Sequence, residues 1–211
     1  VQRVRHLTLL LLTHQNEAKH HNAFLIADAD SSFKIIKQTL ESTMTKQLSA
    51  LVIGGGVAGL QTSLDLAHNG FQVYLVEKEA TLGGTIKRLS RLYPTFKNAQ
   101  DVIQPLIQEA LNTANIKVLT DSQVESVGGT LGDFRAGIAK KGQVSEVQVD
   151  SVVLATGFRQ YDAKKVGQYR YGQYQNVITG LEYEDMCRPG GPTGGKILRP
   201  DNGQTPKSVA F

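Results

Sequence analysis

The chain has one cysteine, Cys187, among its 211 residues. No intrachain disulfide can form, so this is not a disulfide-stapled secreted domain. No Cys-x-x-Cys pair exists, which excludes a dithiol redox centre and an all-cysteine iron–sulfur site within this chain. Tryptophan is absent and methionine occurs twice. Long apolar runs are also lacking: the N-terminal run Leu9–Leu12 is far short of the ~20 residues of a membrane span. It is also too short for the core of a signal peptide, so the sequence reads as cytoplasmic with no membrane span. Charge of one sign is scarce: 23 Lys and Arg against 19 Asp and Glu leave a scattered +4. That surplus is too small and too scattered to argue for nucleic acid, and none is expected as a partner. No Ser-His-Asp set and no metal-ligand spacing appears, so neither hydrolysis nor a metal site has support.

What is present reads as globular: 40% of residues are apolar and 20% charged. The length suits one good core, or one domain with a fragment of another. Residues 1–43 stand apart, with no glycine and four of the five histidines (His6, His14, His20, His21). They are expected to be a tail, a remnant of an upstream domain or the product of a mistaken start. Leu7–Leu12 and Ala23–Ala27 could be short strands there, and Ser31–Thr43 a helix with Phe33, Ile36 and Leu40 on one face. Residues 44–211 are expected to be one partial domain, loop-rich over 167–207 where glycine and proline are dense.

From Ala50 the order is clear. Ala50–Ile53 predicts a strand, Val57–Asn69 a helix stopped by Gly70, and Phe71–Val76 a second strand ending at Glu77. A helix is expected to open at Pro94 or Thr95 and run to about Ala114, with Val102, Ile103, Leu106, Ile107 and Leu111 as its buried stripe. Ile116–Leu119 predicts a third parallel strand. Gln123–Val127, Phe134–Ala139 and Val144–Val149 predict an antiparallel meander, turned at Gly132 and at Lys141-Gly142. Ser151–Ala155 predicts another parallel strand, Leu181–Met186 a short helix, and Ser208–Phe211 a strand cut off as it starts. The fold class is therefore α/β: a Rossmann-like, doubly wound domain with a parallel sheet and a three-stranded antiparallel element.

Gly54-x-Gly56-x-x-Gly59 lies between the first strand and the first helix. The first glycine permits a tight turn, the second lets backbone approach a pyrophosphate, and the third lets the helix pack close to the sheet. The helix N-terminus at Val57 and Ala58 then offers free N–H groups and positive dipole to two phosphates. Glu77 follows Gly54 by 23 residues, where a carboxylate can accept the ribose hydroxyls of an adenosine and repel a 2′-phosphate. Lys78 adjoins it. FAD and NAD both use this fingerprint. Two features favour FAD: the glycine pair Gly83-Gly84 after the second strand, and the meander leading into Val153-Leu-Ala-Thr-Gly157.

Ala50–Gly59, Val73–Lys78, Leu82–Gly84 and Val153–Phe158 resemble the two-dinucleotide-binding flavoproteins of the disulfide reductase superfamily. Gly180–Glu184 and Gly191-Pro-Thr-Gly-Gly-Lys-Ile-Leu-Arg-Pro200 resemble more narrowly the A subunit of heterodisulfide reductase and the related A subunit of the quinone-interacting membrane-bound oxidoreductase. The resemblance covers residues 48–211. It implies an FAD-dependent oxidoreductase that transfers electrons within a complex of iron–sulfur subunits in sulfur or energy metabolism, with a peripheral membrane complex among the settings. By position it implies that Gly54, Gly56 and Gly59 meet the pyrophosphate and Glu77 the ribose. Gly83, Gly84, Thr156 and Gly157 would line the cofactor, and Val124 would offer backbone to the adenine. Archaeal members carry cysteines shortly after the Tyr93-Pro94 region and a ferredoxin-like insertion further on. Thr95–Gln100 has no cysteine here, and residues 128–150 hold a short hairpin in place of an insertion. The segment that completes the flavin end is expected beyond Phe211.

Other reactive residues read as structural. Cys187 has no partner cysteine and reads as a non-catalytic thiol; His68 complements the dipole at its helix end. Lys87, Arg88 and Arg91 either form a solvated face or turn toward phosphates or a partner. Two other readings stand beside the first. One is an NAD(H)-linked oxidoreductase, which needs a proton donor not evident in the sequence. The other is a truncated, non-catalytic nucleotide-binding scaffold.

Overall fold

The computed structural model describes residues 47–211, and the elements expected within residues 1–43 lie outside that range. Four parallel strands form the main sheet in the order β5-β2-β1-β9: β1 Ser49–Ile53, β2 Gln72–Val76, β5 Ile116–Leu119 and β9 Ser151–Leu154. The register is even, with Val52 opposite Leu75 on one side and Val153 on the other. These strands are apolar on both faces, as a parallel sheet covered on both sides requires. Alternate residues supply the two covers. Val52, Val73 and Leu75 face a core shared with Leu60 and Leu64 of α1 (Val57–His68) and Ile103 and Ala110 of α2 (Ala99–Asn112). Leu51 and Val76 face a second core with Ala136, Ile138 and Val149.

That second core belongs to the meander, an antiparallel sheet of β6 (Ser122–Thr130), β7 (Asp133–Lys140) and β8 (Gln143–Val149). The domain thus has three layers: helices, parallel sheet, antiparallel sheet. Both hairpin loops have two residues. At Lys141 (φ 51°) and Gly142 (φ 79°) both take positive φ, the conformation that matches the twist of the flanking strands. The end of β8 is fastened to the start of β1, since the Asp150 carboxylate accepts from the Ser49 N–H at 2.8 Å and its hydroxyl at 2.9 Å.

The structure corrects three expectations. The second helix begins at Ala99, not at Pro94 or Thr95. Pro94 lies in a turn between two short strands, β3 (Arg91–Leu92) and β4 (Lys97–Asn98), closed by Phe96 N–H donating to the Leu92 carbonyl at 2.7 Å. Asn98 is the true cap: its side chain accepts from the Gln100 N–H at 2.9 Å. The same helix ends at Asn112, and Leu111 is 54% exposed. Ala110 takes the buried place, because Leu111 falls one residue past the stripe that meets α1. Ser208–Phe211 is not a strand, for among the described residues no strand pairs with it. The short helix is present as α3, Gly180–Cys187. Thr179 and Glu182 form a reciprocal capping box at its start.

Candidate dinucleotide site

The site lies at the C-terminal ends of β1, β2 and β9, where a parallel sheet leaves a crevice. Gly54 takes φ 114°, and a Cβ there would sit 2.3 Å from the Ala155 carbonyl oxygen. Glycine alone fits both conditions. Gly59 is tighter: a Cβ would fall 1.7 Å from the Gly54 carbonyl oxygen, so α1 packs directly on the turn. A Cβ on Gly56 would meet nothing within 4 Å, so this position opens onto free space at the helix N-terminus. No side chain caps α1, and no acidic residue stands in its first turn. The first N–H groups of the helix and its positive dipole end are therefore left for an anion.

Glu77 is buried, with 7% exposure. Its Oε2 accepts from the Gly55 N–H at 2.7 Å and its Oε1 from the Glu79 N–H at 2.9 Å. A carboxylate has about four lone-pair sites, so each oxygen keeps capacity for a further donor such as a ribose hydroxyl. The Glu77 carbonyl accepts from Ser122 N–H at 3.0 Å, which brings the start of β6 to the same place.

The glycine pair closes the crevice. Gly83 N–H donates to the Gly55 carbonyl at 2.7 Å, and a Cβ on Gly84 would sit 3.0 Å from Gly56 Cα. Gly84–Arg88 then forms one 3₁₀ turn. Beside it opens an apolar cleft of about 490 Å³, with Thr85, Ile86 and Leu89 on one wall and Leu181 and Phe158 among its other lining residues.

The structure thus gathers Gly54, Gly56, Gly59, Glu77, Gly83 and Gly84 around one crevice, and Thr156 Cα would lie 3.2 Å from a Cβ on Gly54. Val57, Ala58, Lys78 and Gly157 are exposed around it. Val124 is half-buried, and its side chain packs in the core between the two sheets. Its backbone pairs with Ile138 next to the bulge at Glu125.

Two residues beyond the expected set matter. Gly55 has no room for a side chain, since a Cβ would meet Leu82 Cδ2 at 2.5 Å and Glu77 Oε2 at 3.1 Å. The signal was the unbroken triplet Gly54-Gly55-Gly56, one glycine more than the fingerprint needs. Leu82, 6% exposed, is the plug that forces it.

The three cations after the glycine pair have separate partners. Lys87 pairs with Glu79 at 3.2 Å, Arg88 pairs with Asp185, and Arg91 donates to the Phe96 carbonyl at 3.3 Å. Asp185 holds the Arg88 guanidinium above its usual range, ahead of the opposing effect of burial. His68 meets Glu109 at 3.4 Å on an exposed face.

The sequence pattern of the pyridine nucleotide-disulphide oxidoreductase family matches residues 48–187. Among curated proteins, the chain is similar to an iron-sulfur A subunit of the CoB–CoM heterodisulfide reductase of Methanopyrus kandleri, with 31% identity covering 82% of this chain and 38% of that protein. It is also similar to the A subunit of the H2:CoB-CoM heterodisulfide,ferredoxin reductase of Methanothermobacter thermautotrophicus, with 28% identity covering 89% of this chain and 40% of that protein. This chain therefore spans about two fifths of the length of these relatives. Among solved structures, L-proline dehydrogenase from P. horikoshii aligns at 25% identity with a TM-score of 0.48, covering 53% of this chain and 23% of that one. With two thirds of its residues inside the family match, the chain belongs to the pyridine nucleotide-disulphide oxidoreductase family, flavin-dependent oxidoreductases with the Rossmann-like FAD fold described above.

Proposed function

We propose that residues 47–211 hold FAD and serve as part of an electron-transfer subunit in a heterodisulfide reductase-like complex. The observation that carries the FAD reading is the glycine crevice at an uncapped helix N-terminus, with the Glu77 carboxylate at its rim. Gly54 and Gly56 leave the space a pyrophosphate fills. The α1 N–H groups donate to its oxygens. Glu77 takes the adenosine ribose hydroxyls, and its charge rejects a 2′-phosphate. Lys78, beside it at the surface, adds positive potential, and β6 near Val124 borders the adenine. Gly83, Gly84, Thr156 and Gly157 let backbone approach the middle of the cofactor. The cleft beyond Gly84 offers mainly apolar walls against which a planar ring can pack. When bound, FAD supplies the redox chemistry; the protein binds, orients and shields it.

The heterodisulfide reductase setting rests on the similarity to the two archaeal proteins. Their names carry the iron–sulfur and ferredoxin terms, and iron–sulfur electron-transfer subunits are the partners proposed for this chain. No iron–sulfur cluster is assigned to the chain itself, whose one cysteine cannot supply four ligands. Among the described residues no helix is long and apolar enough to cross a membrane, and no group of His, Cys, Asp and Glu suits a metal ion.

Titration of the purified chain with FAD, with NAD and with NADP tests the site. Saturable FAD binding, with a shifted flavin absorption band near ~450 nm and much weaker NADP binding, is expected. Equal affinity for NAD and NADP with none for FAD overturns the reading.

A further inference from the structure

The segment after the glycine pair is fastened at both ends. Its start is held on the fingerprint loop by the Gly83 N–H bond to Gly55 and by the close approach of Gly84 to Gly56. Its end is held by α3, some 97 residues further along the chain. Arg88 Nε donates to Asp185 Oδ2 at 3.0 Å, and Nη2 donates to the same oxygen. Two residues on, Ser90 N–H donates to Glu184 Oε2 at 2.8 Å. Asp185 is 16% exposed and also faces Arg188 at 3.7 Å, so one shielded carboxylate stands between two guanidinium groups. Charge-assisted pairs from a planar guanidinium are directional as well as strong.

The placement of this pair gives it a task. The 3₁₀ turn Gly84–Arg88 rises ~2.0 Å per residue and forms a short bar. Thr85 and Ile86 on that bar line one side of the apolar cleft, while Leu181 and Glu184 of α3 line another. Arg88–Asp185 joins the two. The other ties of the turn run elsewhere: Lys87 reaches Glu79 and Thr81, and Gln100 of α2 donates to the Lys87 carbonyl at 2.8 Å. Without Asp185 the turn stays on the α/β core, and α3 is tied to this segment only beyond the turn, where Ser90 meets Glu184 and the Cys187 carbonyl.

We propose that Asp185, acting through Arg88, is a positioning residue that sets the spacing of the cleft beside Gly84 and so holds the flavin end of FAD, while the adenosine end depends on the Gly54–Glu77 crevice. The inference rests on the FAD reading. It predicts a split that general loosening of the fold does not give: FAD and ADP share the adenosine end, and only FAD reaches the cleft.

The test titrates the whole chain with FAD and with ADP in four forms: wild type, Asp185→Asn, Arg88→Gln and the double variant. Each single change is expected to raise the Kd for FAD about tenfold, the scale of one charge-assisted contact, with the Kd for ADP unchanged. The double variant is expected to match the weaker single, because both remove the same pair. Amide exchange is expected to quicken over residues 84–90 and 180–187 in Asp185→Asn, and not in β1 or β2. Unchanged FAD affinity in both single variants overturns the inference. So does an equal loss of ADP affinity, or fully additive losses in the double variant. A wild-type chain that takes ADP and refuses FAD is a different result, since it defeats the FAD reading and this inference with it.

Discussion

The Glu77 carboxylate and the Gly55 N–H stand 2.7 Å apart, so the residue that follows β2 also holds the turn that follows β1. A buried carboxylate is costly to keep unless hydrogen-bonded, and here two backbone N–H groups meet it. The side chain proposed for the ribose is thus part of the scaffold before any ligand arrives. Its orientation is fixed in advance, which lowers the entropic cost of binding.

Glu77→Ala is therefore expected to act twice. Binding of an adenosine nucleotide should weaken by the worth of charge-assisted bonds, each about 1.5–3 kcal/mol. Stability should also fall, by about 1–3 kcal/mol, because the Gly55 N–H is left buried without its acceptor. Calorimetric titration and a denaturant melt of the same variant measure the two effects. Loss of binding with an unchanged melt would show that the Gly55 contact contributes nothing to the fold.

The βαβ unit and the meander were legible in the sequence because periodicity and glycine punctuation agreed there. Val52 and Leu51 alternate between two cores, and a run that is apolar throughout is the signature of a strand buried on both faces. The start of α2 was not legible. Pro94 is a good first helical residue on local grounds, and only the pairing of Arg91 with Asn98 and Leu92 with Lys97 shows it to be a turn. Asn98, the real cap, is of a residue type suited to that role and lies a few residues beyond Pro94. Of the site, the glycines and Glu77 follow from local motifs. Asp185 does not: its partner Arg88 lies 97 residues away, and no periodicity carries a contact of that range.

Gly56 and Gly59 separate function from fold within one loop. A side chain on Gly56 enters open space, so Gly56→Glu is expected to fill the phosphate position and abolish nucleotide binding with little change in melting temperature. A Cβ on Gly59 collides with the Gly54 carbonyl, so Gly59→Ala must push α1 off the turn. Overpacking of this kind costs about 1–3 kcal/mol or more, read as a lower denaturant midpoint. The opposite pattern, with Gly56→Glu unstable and Gly59→Ala neutral, would mean that the pyrophosphate does not lie at Gly56.

The cap of α3 makes the cleft wall sensitive to acid. Burial alone pushes the Glu182 carboxyl up, but the Thr179 N–H and hydroxyl, the Tyr171 hydroxyl and the Arg88 charge together hold it below its ordinary value of 4.5. A carboxylate with a depressed folded pKa adds stability that is complete above the unfolded value and fades as pH falls through the folded one. Protonation also removes an acceptor from the capping box, so α3 should loosen as pH falls through that depressed value. Glu182→Gln keeps the shape and removes the charge. Its melting temperature is expected to lie below that of wild type at pH 7 and to converge on it in acid, and melts at pH 3, 5 and 7 decide the matter. A gap between the two that stays constant over that range would show that the charge of Glu182 has no part in holding the helix.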